Sequence, residues 1–169
     1  DVDAAQSVIS HLVEKGYRRI ALINHDLSYK YARLRERGYK AALHALSLEY
    51  QAVEYASELS SSAGIAAMKT LLAAEVKPDA VFAVSDTLAA GAMRAILNAG
   101  LQIPQDIAVV GFDGTELAEM VSPQLSTIEQ PSRDIGRKAV GLLLNKIENP
   151  DAQTERVMMD WRFISRAST

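Results

Sequence analysis

The 169-residue chain predicts an α/β fold, a doubly wound parallel sheet with helices on both faces. Three observations carry that expectation. Segments with apolar residues at helical spacing alternate with short apolar runs as far as Asp113. The runs at 80–84 and 107–112 are apolar on both faces, as strands covered from both sides must be. Gly or Pro punctuates the junctions. The length suits one ordinary domain with a core of its own and hardly two.

The elements follow in order. Ala5, Val8, Ile9, Leu12 and Val13 recur at helical spacing behind Asp3, the predicted N-cap, and Gly16 stops that helix before a buried strand over 19–24. A helix over 31–46 and a short strand over 51–56 come next. Ser60, Ser61 and Ser62 offer cap hydroxyls to a helix reaching Ala74, and Pro78 precedes the strand over 80–84. Asp86 is the predicted cap of the following helix, which runs to Asn98 and ends at Gly100 before the strand over 107–112. Beyond Pro123 the rhythm changes: a strand over 125–130, a break at Pro131, an amphipathic helix over 132–148 and a closing strand over 156–164.

Composition excludes several functions. Hydrophobic residues make up 49% and charged residues 23%, with no segment near the roughly 20 apolar residues of a membrane helix. A formal charge of -3 lacks the basic excess of a nucleic-acid-binding surface, so any DNA contact is expected from a part of the protein outside this chain. Without cysteine there is no disulfide, thiolate metal site or cysteine nucleophile, and a reducing cytoplasm is permitted. The opening Asp1-Val2-Asp3-Ala4 is neither an initiator start nor a secretory leader, so a segment of a longer protein is expected.

In a doubly wound sheet, ligands sit beyond the carboxyl ends of the strands. Those ends here offer Asn24-His25-Asp26, then Arg33 and Arg35, then Ser85-Asp86, then Asp113-Gly114. The rigid fork of an Arg and the double acceptor of an Asp together suit a polyhydroxyl ligand such as a sugar or ribose. Each residue also has a plainer reading: Asp86 as a helix cap, Asp113-Gly114 as a turn, Arg35 as a solvated helix charge. No Gly-rich phosphate loop, nucleophile elbow or paired-His zinc motif occurs, and His11, His25 and His44 lack metal-ligand spacing. Catalytic residues, cofactor and metal are therefore all expected to be none. The surviving enzyme-like alternative gathers Asp26, Asp86 and Asp113 into an acidic Mg²⁺ pocket of the receiver type.

Five ordered motifs resemble the LacI/GalR family of regulators, over a match running from Asp3 nearly to the end. They are the residues 11–21, with Tyr17 where His is usual; Arg33-Leu34-Arg35-Glu36-Arg37-Gly38-Tyr39; the run from Pro78 to Asp86 with Ala89-Ala90-Gly91-Ala92; the run from Ile103 to Asp113; and Pro123 with Leu125-Ser126-Thr127-Ile128 and Gln130-Pro131. The resemblance implies a periplasmic-binding-protein-like core of two lobes, with a sugar or nucleoside effector between them. It implies a cytoplasmic homodimer that binds operator DNA through an N-terminal headpiece absent from this chain. Residues 3–130 correspond to the C-terminal effector-binding lobe, 131–150 to a crossover helix of the N-terminal lobe, and 155–166 to a returning strand.

By the same resemblance Arg35 and Asp113 are the main effector anchors, and Ser85 replaces a contact that is often Asn. Tyr29 and Tyr31 line the pocket loop, Leu59 stands where some members place a stacking aromatic, and Gln130 falls at the crossover. Gly114 replaces a frequent second Asp. The helix carrying Leu88, Met93, Ile96 and Leu97, with Met120-Val121, is placed in the dimer interface. The apolar face of the 132–148 helix, Ile135, Ala139, Leu142, Leu143 and Ile147, is expected to be left unburied by this chain alone. A periplasmic sugar-binding transport protein shares the fold and remains the alternative.

Overall fold

The computed structural model describes residues 1–169 and divides them into two compact units, residues 1–129 with 163–169 and residues 130–162. The first unit holds α1 (Val2–Glu14), β1 (Ile20–Asn24), α2 (Lys30–Ala45), β2 (Ala52–Tyr55), α3 (Ser61–Ala73), β3 (Ala80–Ala83), α4 (Asp86–Asn98), β4 (Ala108–Asp113), α5 (Leu117–Met120) and β5 (Ser126–Glu129). The second is built on α6 (Ser132–Glu148), and β6 (Arg162–Ile164) follows it.

The sheet runs β2-β1-β3-β4-β5-β6, and β2, β1, β3, β4 and β5 are parallel, with Ile20 opposite Ala80, Val81 opposite Val109 and Val110 opposite Ser126. The predicted doubly wound α/β fold is what the chain adopts. Every residue of β1 and β3 is buried, as the continuous apolar runs required. Paired helices meet at glycines: a Cβ on Gly38 of α2 would overlap Ala5 of α1, and one on Gly64 or Gly91 would overlap the facing backbone of α4 or α3. Small residues there let the helices approach closely enough to cover the sheet.

Four expectations need correction. The α1 helix begins two residues earlier, with Asp1 at the N-cap and Asp3 in the first turn, where a carboxylate still complements the helix dipole. Ser85, not Asp86, caps α4, its Oγ accepting from the Leu88 N–H at 3.2 Å, because the Asp86 carboxylate is engaged elsewhere. The short α5 helix was not anticipated, since four residues are too few to show a period. The closing strand is confined to Arg162–Ile164: residues 156–161 carry no regular secondary structure, and a strand exists only where a neighbour completes its hydrogen bonds.

The C-terminal residues lock β4 to β5. Buried Ser168 donates from Oγ to the Val109 carbonyl at 2.6 Å and accepts there from the Ser126 N–H at 2.8 Å. Its backbone N–H reaches the Gln124 carbonyl and its own carbonyl takes the Val109 N–H. In the second unit α6 buries none of its residues, with Ile135, Val140, Leu143, Leu144 and Ile147 exposed, and Lys146 closes its end by donating to the Pro150 and Ala152 carbonyls.

Candidate effector site

The strand order turns one way from β1 to β2 and the other way from β1 to β3, so the loops leaving β1 and β3 diverge and open a crevice at their carboxyl ends. Arg35 is at this rim. It lies on the inner face of α2, 5% exposed, and its Nη1 donates to the Val84 carbonyl at the end of β3. The same nitrogen stands 3.8 Å from Asp113 Oδ1, and Nε donates to Asp1 Oδ1 at 3.0 Å. Its guanidinium lies 3.4 Å from the centroid of the Phe112 ring and 5.1 Å from that of Tyr31. Burial pushes the guanidinium down to about 10, against the opposing pull of Asp113, Tyr31 and Asp86. The plainer expectation for Arg35, a solvated helix charge, does not hold.

Asp113 ends β4 with a positive φ of 112°, and Gly114 follows at 70°. A non-glycine residue held there is strained, and such strain concentrates at functional sites. Gly114 has no room for a side chain, since its Cβ would stand 2.5 Å from Glu129 Cα and 2.7 Å from the Glu129 Cβ and Cγ. The turn reading of Asp113-Gly114 holds, and that turn leaves the Asp113 carboxylate 3.8 Å from Arg35 Nη1.

A second cluster lines the loop after β1. His25, 7% exposed, has Nδ1 2.6 Å from the Tyr31 hydroxyl and stacks on Tyr29 with ring centroids 4.8 Å apart. Behind it Asn24 donates to the Ala32 carbonyl and to Glu36 Oε2, and Glu36 also takes the Tyr55 hydroxyl and the Lys40 ammonium. Burial pushes the Glu36 carboxyl up, but Lys40, Asn24 and Tyr55 outweigh it and leave it below its ordinary value.

The remaining candidates separate. Ser85 is buried at the β3 end with its Oγ committed as the α4 cap. Leu59, 45% exposed, follows β2 in the loop before α3. Gln130 belongs to the second unit, where its carbonyl accepts from the Ser132 N–H at 2.8 Å. Arg33 turns outward and holds the Leu27 and Ser28 carbonyls. Asp26 is exposed and accepts from the Ser28 N–H, so the receiver-type pocket fails: no cluster of Asp, Glu or His could hold a metal ion. Phe112 is the neighbour of Arg35 that the sequence reading did not single out, and His25 was offered there only as one of the strand-end polar groups. Phe112 reads as core in an apolar run, and only its place one residue before the strand-end Asp113 hinted at a ligand-side role.

The periplasmic binding protein-like domain matches residues 9–169. The ribose operon repressor of Escherichia coli (strain K12) is 38% identical over 159 residues, covering 94% of this chain and 48% of that protein. A LacI family transcriptional regulator from Enterococcus faecium with bound ribose superimposes at a TM-score of 0.90, with 29% identity, 99% of this chain and 62% of that one. The lac repressor dimer bound to operator and the anti-inducer ONPF gives a TM-score of 0.91, 32% identity, 99% of this chain and 58% of that one. The chain spans about half the length of the curated relatives it matches.

Proposed function

The chain belongs to the LacI/GalR family with its periplasmic-binding-protein-like effector core, and from that premise we propose that it is the effector-sensing part of a cytoplasmic transcriptional repressor responding to a small neutral sugar, with ribose first among the candidates. It is not an enzyme in this reading. Residues 3–130 form most of the C-terminal lobe, 131–150 the crossover helix of the other lobe and 155–166 the return; operator binding belongs to a headpiece outside residues 1–169.

The observation that carries the reading is the buried Arg35 fork stacked on Phe112 and facing Asp113 at the sheet's switch point. A guanidinium offers only donors and a carboxylate only acceptors, so together they discriminate the vicinal hydroxyls of a sugar. Their opposite charges offset each other, which disfavours an ionic ligand and favours an uncharged one. Tyr29 and Tyr31 supply aromatic surface beside Arg35, and Ser85 and Leu59 are assigned as further lining of the same lobe. The ribose preference is supported by the kinship with a ribose operon repressor and with a ribose-bound regulator.

Dimerisation is part of the proposal, through the surface that combines α4 with the α5 end. Leu88, Met93 and Ile96 are buried within the chain itself, so they do not supply that surface. Leu97 and Met120, the latter 79% exposed, are left for it. Titration calorimetry of the full-length protein with D-ribose, cellobiose and cytidine tests the effector class. Saturable binding of D-ribose with weaker or no binding of the other two is expected, and binding of cytidine alone would move the assignment to nucleosides.

A further inference from the structure

Asp86 is 1% exposed, yet it neither caps a helix nor forms an ion pair. Its Oδ2 accepts from the Thr115 N–H at 2.7 Å and from the Thr115 hydroxyl at 2.9 Å, and its Oδ1 takes the Thr127 hydroxyl of β5. Burial pushes this carboxyl up while the Thr127 and Thr115 bonds pull it down, with a net rise. Gly111 of β4 leaves the room it occupies, since a Cβ there would overlap Asp86 Oδ1 and stand 2.9 Å from Leu125 Cδ2.

These bonds converge on the residues after Asp113, where the chain runs through two successive positive φ values. Such a backbone persists only when its surroundings over-determine it. Two of the bonds hold Thr115, and the third anchors the same carboxylate to the neighbouring strand. We propose that Asp86 is a positioning residue for the effector site: it pins the 113–115 turn so that the Asp113 carboxylate is pre-aimed at the ligand, and it does so from a buried place without touching the ligand itself. The inference rests on the effector reading of Asp113. Preorganisation of this kind raises affinity by removing the cost of ordering the loop on binding. The Thr127 bond gives the pin its fixed point, because a carboxylate free to rotate would follow the loop and hold nothing.

The test uses the full-length protein with Asp86→Asn, the milder Thr115→Val, and two readouts. The first needs no sugar: amide hydrogen exchange over residues 113–116, with Val109 and Val110 as internal reference. At least tenfold faster exchange at Thr115 in Asp86→Asn is expected, with the reference unchanged, and unaltered exchange at Thr115 overturns the proposal. The second is calorimetric titration with D-ribose, for which Asp86→Asn should bind at least tenfold more weakly and Thr115→Val two- to fivefold more weakly. Added to Asp113→Ala, Asp86→Asn should cost no more than a further twofold, because nothing is left to aim. A full additional tenfold loss in that background, or unchanged affinity of Asp86→Asn with only a lowered melting temperature, identifies a merely structural role and overturns it. Should Asp86→Asn fail to fold, Thr115→Val carries both readouts. A wild type that takes no D-ribose removes the ribose assignment, while the exchange readout still decides the role of Asp86.

Discussion

Replacing Arg35 with Met separates what the guanidinium does for binding from what it does for folding. Burial pushes its guanidinium down to about 10, so keeping it charged in its site costs about 3 kcal/mol relative to water. A Met of similar reach removes that cost and fills the same slot over Phe112. It also deletes the donor to the Val84 carbonyl, a loss of about 1–3 kcal/mol, while Asp113, with its side chain 35% exposed, can turn to water. The balance lies between no change and a gain of about 2 kcal/mol, and at about 2–4 °C per kcal/mol the melting temperature should hold or rise by up to about 8 °C. Binding should respond in the opposite sense. Two lost hydrogen bonds from a charged donor, each about 1.5–3 kcal/mol, weaken a sugar by roughly a hundredfold or more. Scanning calorimetry and D-ribose titration on the full-length Arg35→Met protein measure both. A melting temperature lowered by more than about 5 °C with unchanged affinity would refute the reasoning and make Arg35 a structural residue.

Ser168→Ala strips both the donor to Val109 and the acceptor for Ser126 from a buried position, so a loss of about 2–4 kcal/mol is expected, read as a fall in melting temperature with sugar affinity retained. Gly114→Ala forces a side chain against Glu129 at a φ of 70° and should cost about 2 kcal/mol or more in a denaturant titration, with weaker ribose binding beside it. Glu36 has a folded pKa below its ordinary value, so the unfolded chain binds the proton first; its stabilisation is present above about 4.5 and is lost as pH falls through the folded value. Melting temperatures at pH 7 and pH 4 should therefore differ less in Glu36→Gln than in the wild type, and an equal acid sensitivity contradicts that. Met120→Glu should shift sedimentation of the full-length protein toward monomer, and an unchanged dimer would place the interface elsewhere.

The fold was legible because strands buried on both faces leave no choice of residue: 80–84 and 107–112 are apolar throughout, and their neighbours are set off by Pro78, Gly100 and Pro104. Boundaries were harder. Ser85 and Asp86 are both good caps by composition, and only the positions of Thr115 and Thr127, far away in sequence, decide that Asp86 turns away from its own helix. Arg35 shows the same limit, since local chemistry favours a solvated Arg and its burial follows from how α2 lies over the β3 end. Resemblance in motif identified it where periodicity did not. The closing strand was overextended because Val157 and Met158 look like strand residues, whereas a ladder depends on a partner that no local pattern reveals. His25 was in view as a strand-end polar residue, but its stacking on Tyr29 and its bond to Tyr31 depend on a turn between them that the sequence does not specify.

The most direct test of the central claim is a crystal structure of the full-length protein grown with D-ribose. The account predicts the sugar at the carboxyl ends of β1, β3 and β4, with Arg35 donating to and Asp113 accepting from adjacent ring hydroxyls at hydrogen-bond distance. A ribose bound elsewhere, with neither Arg35 nor Asp113 within hydrogen-bond distance of it, would contradict it.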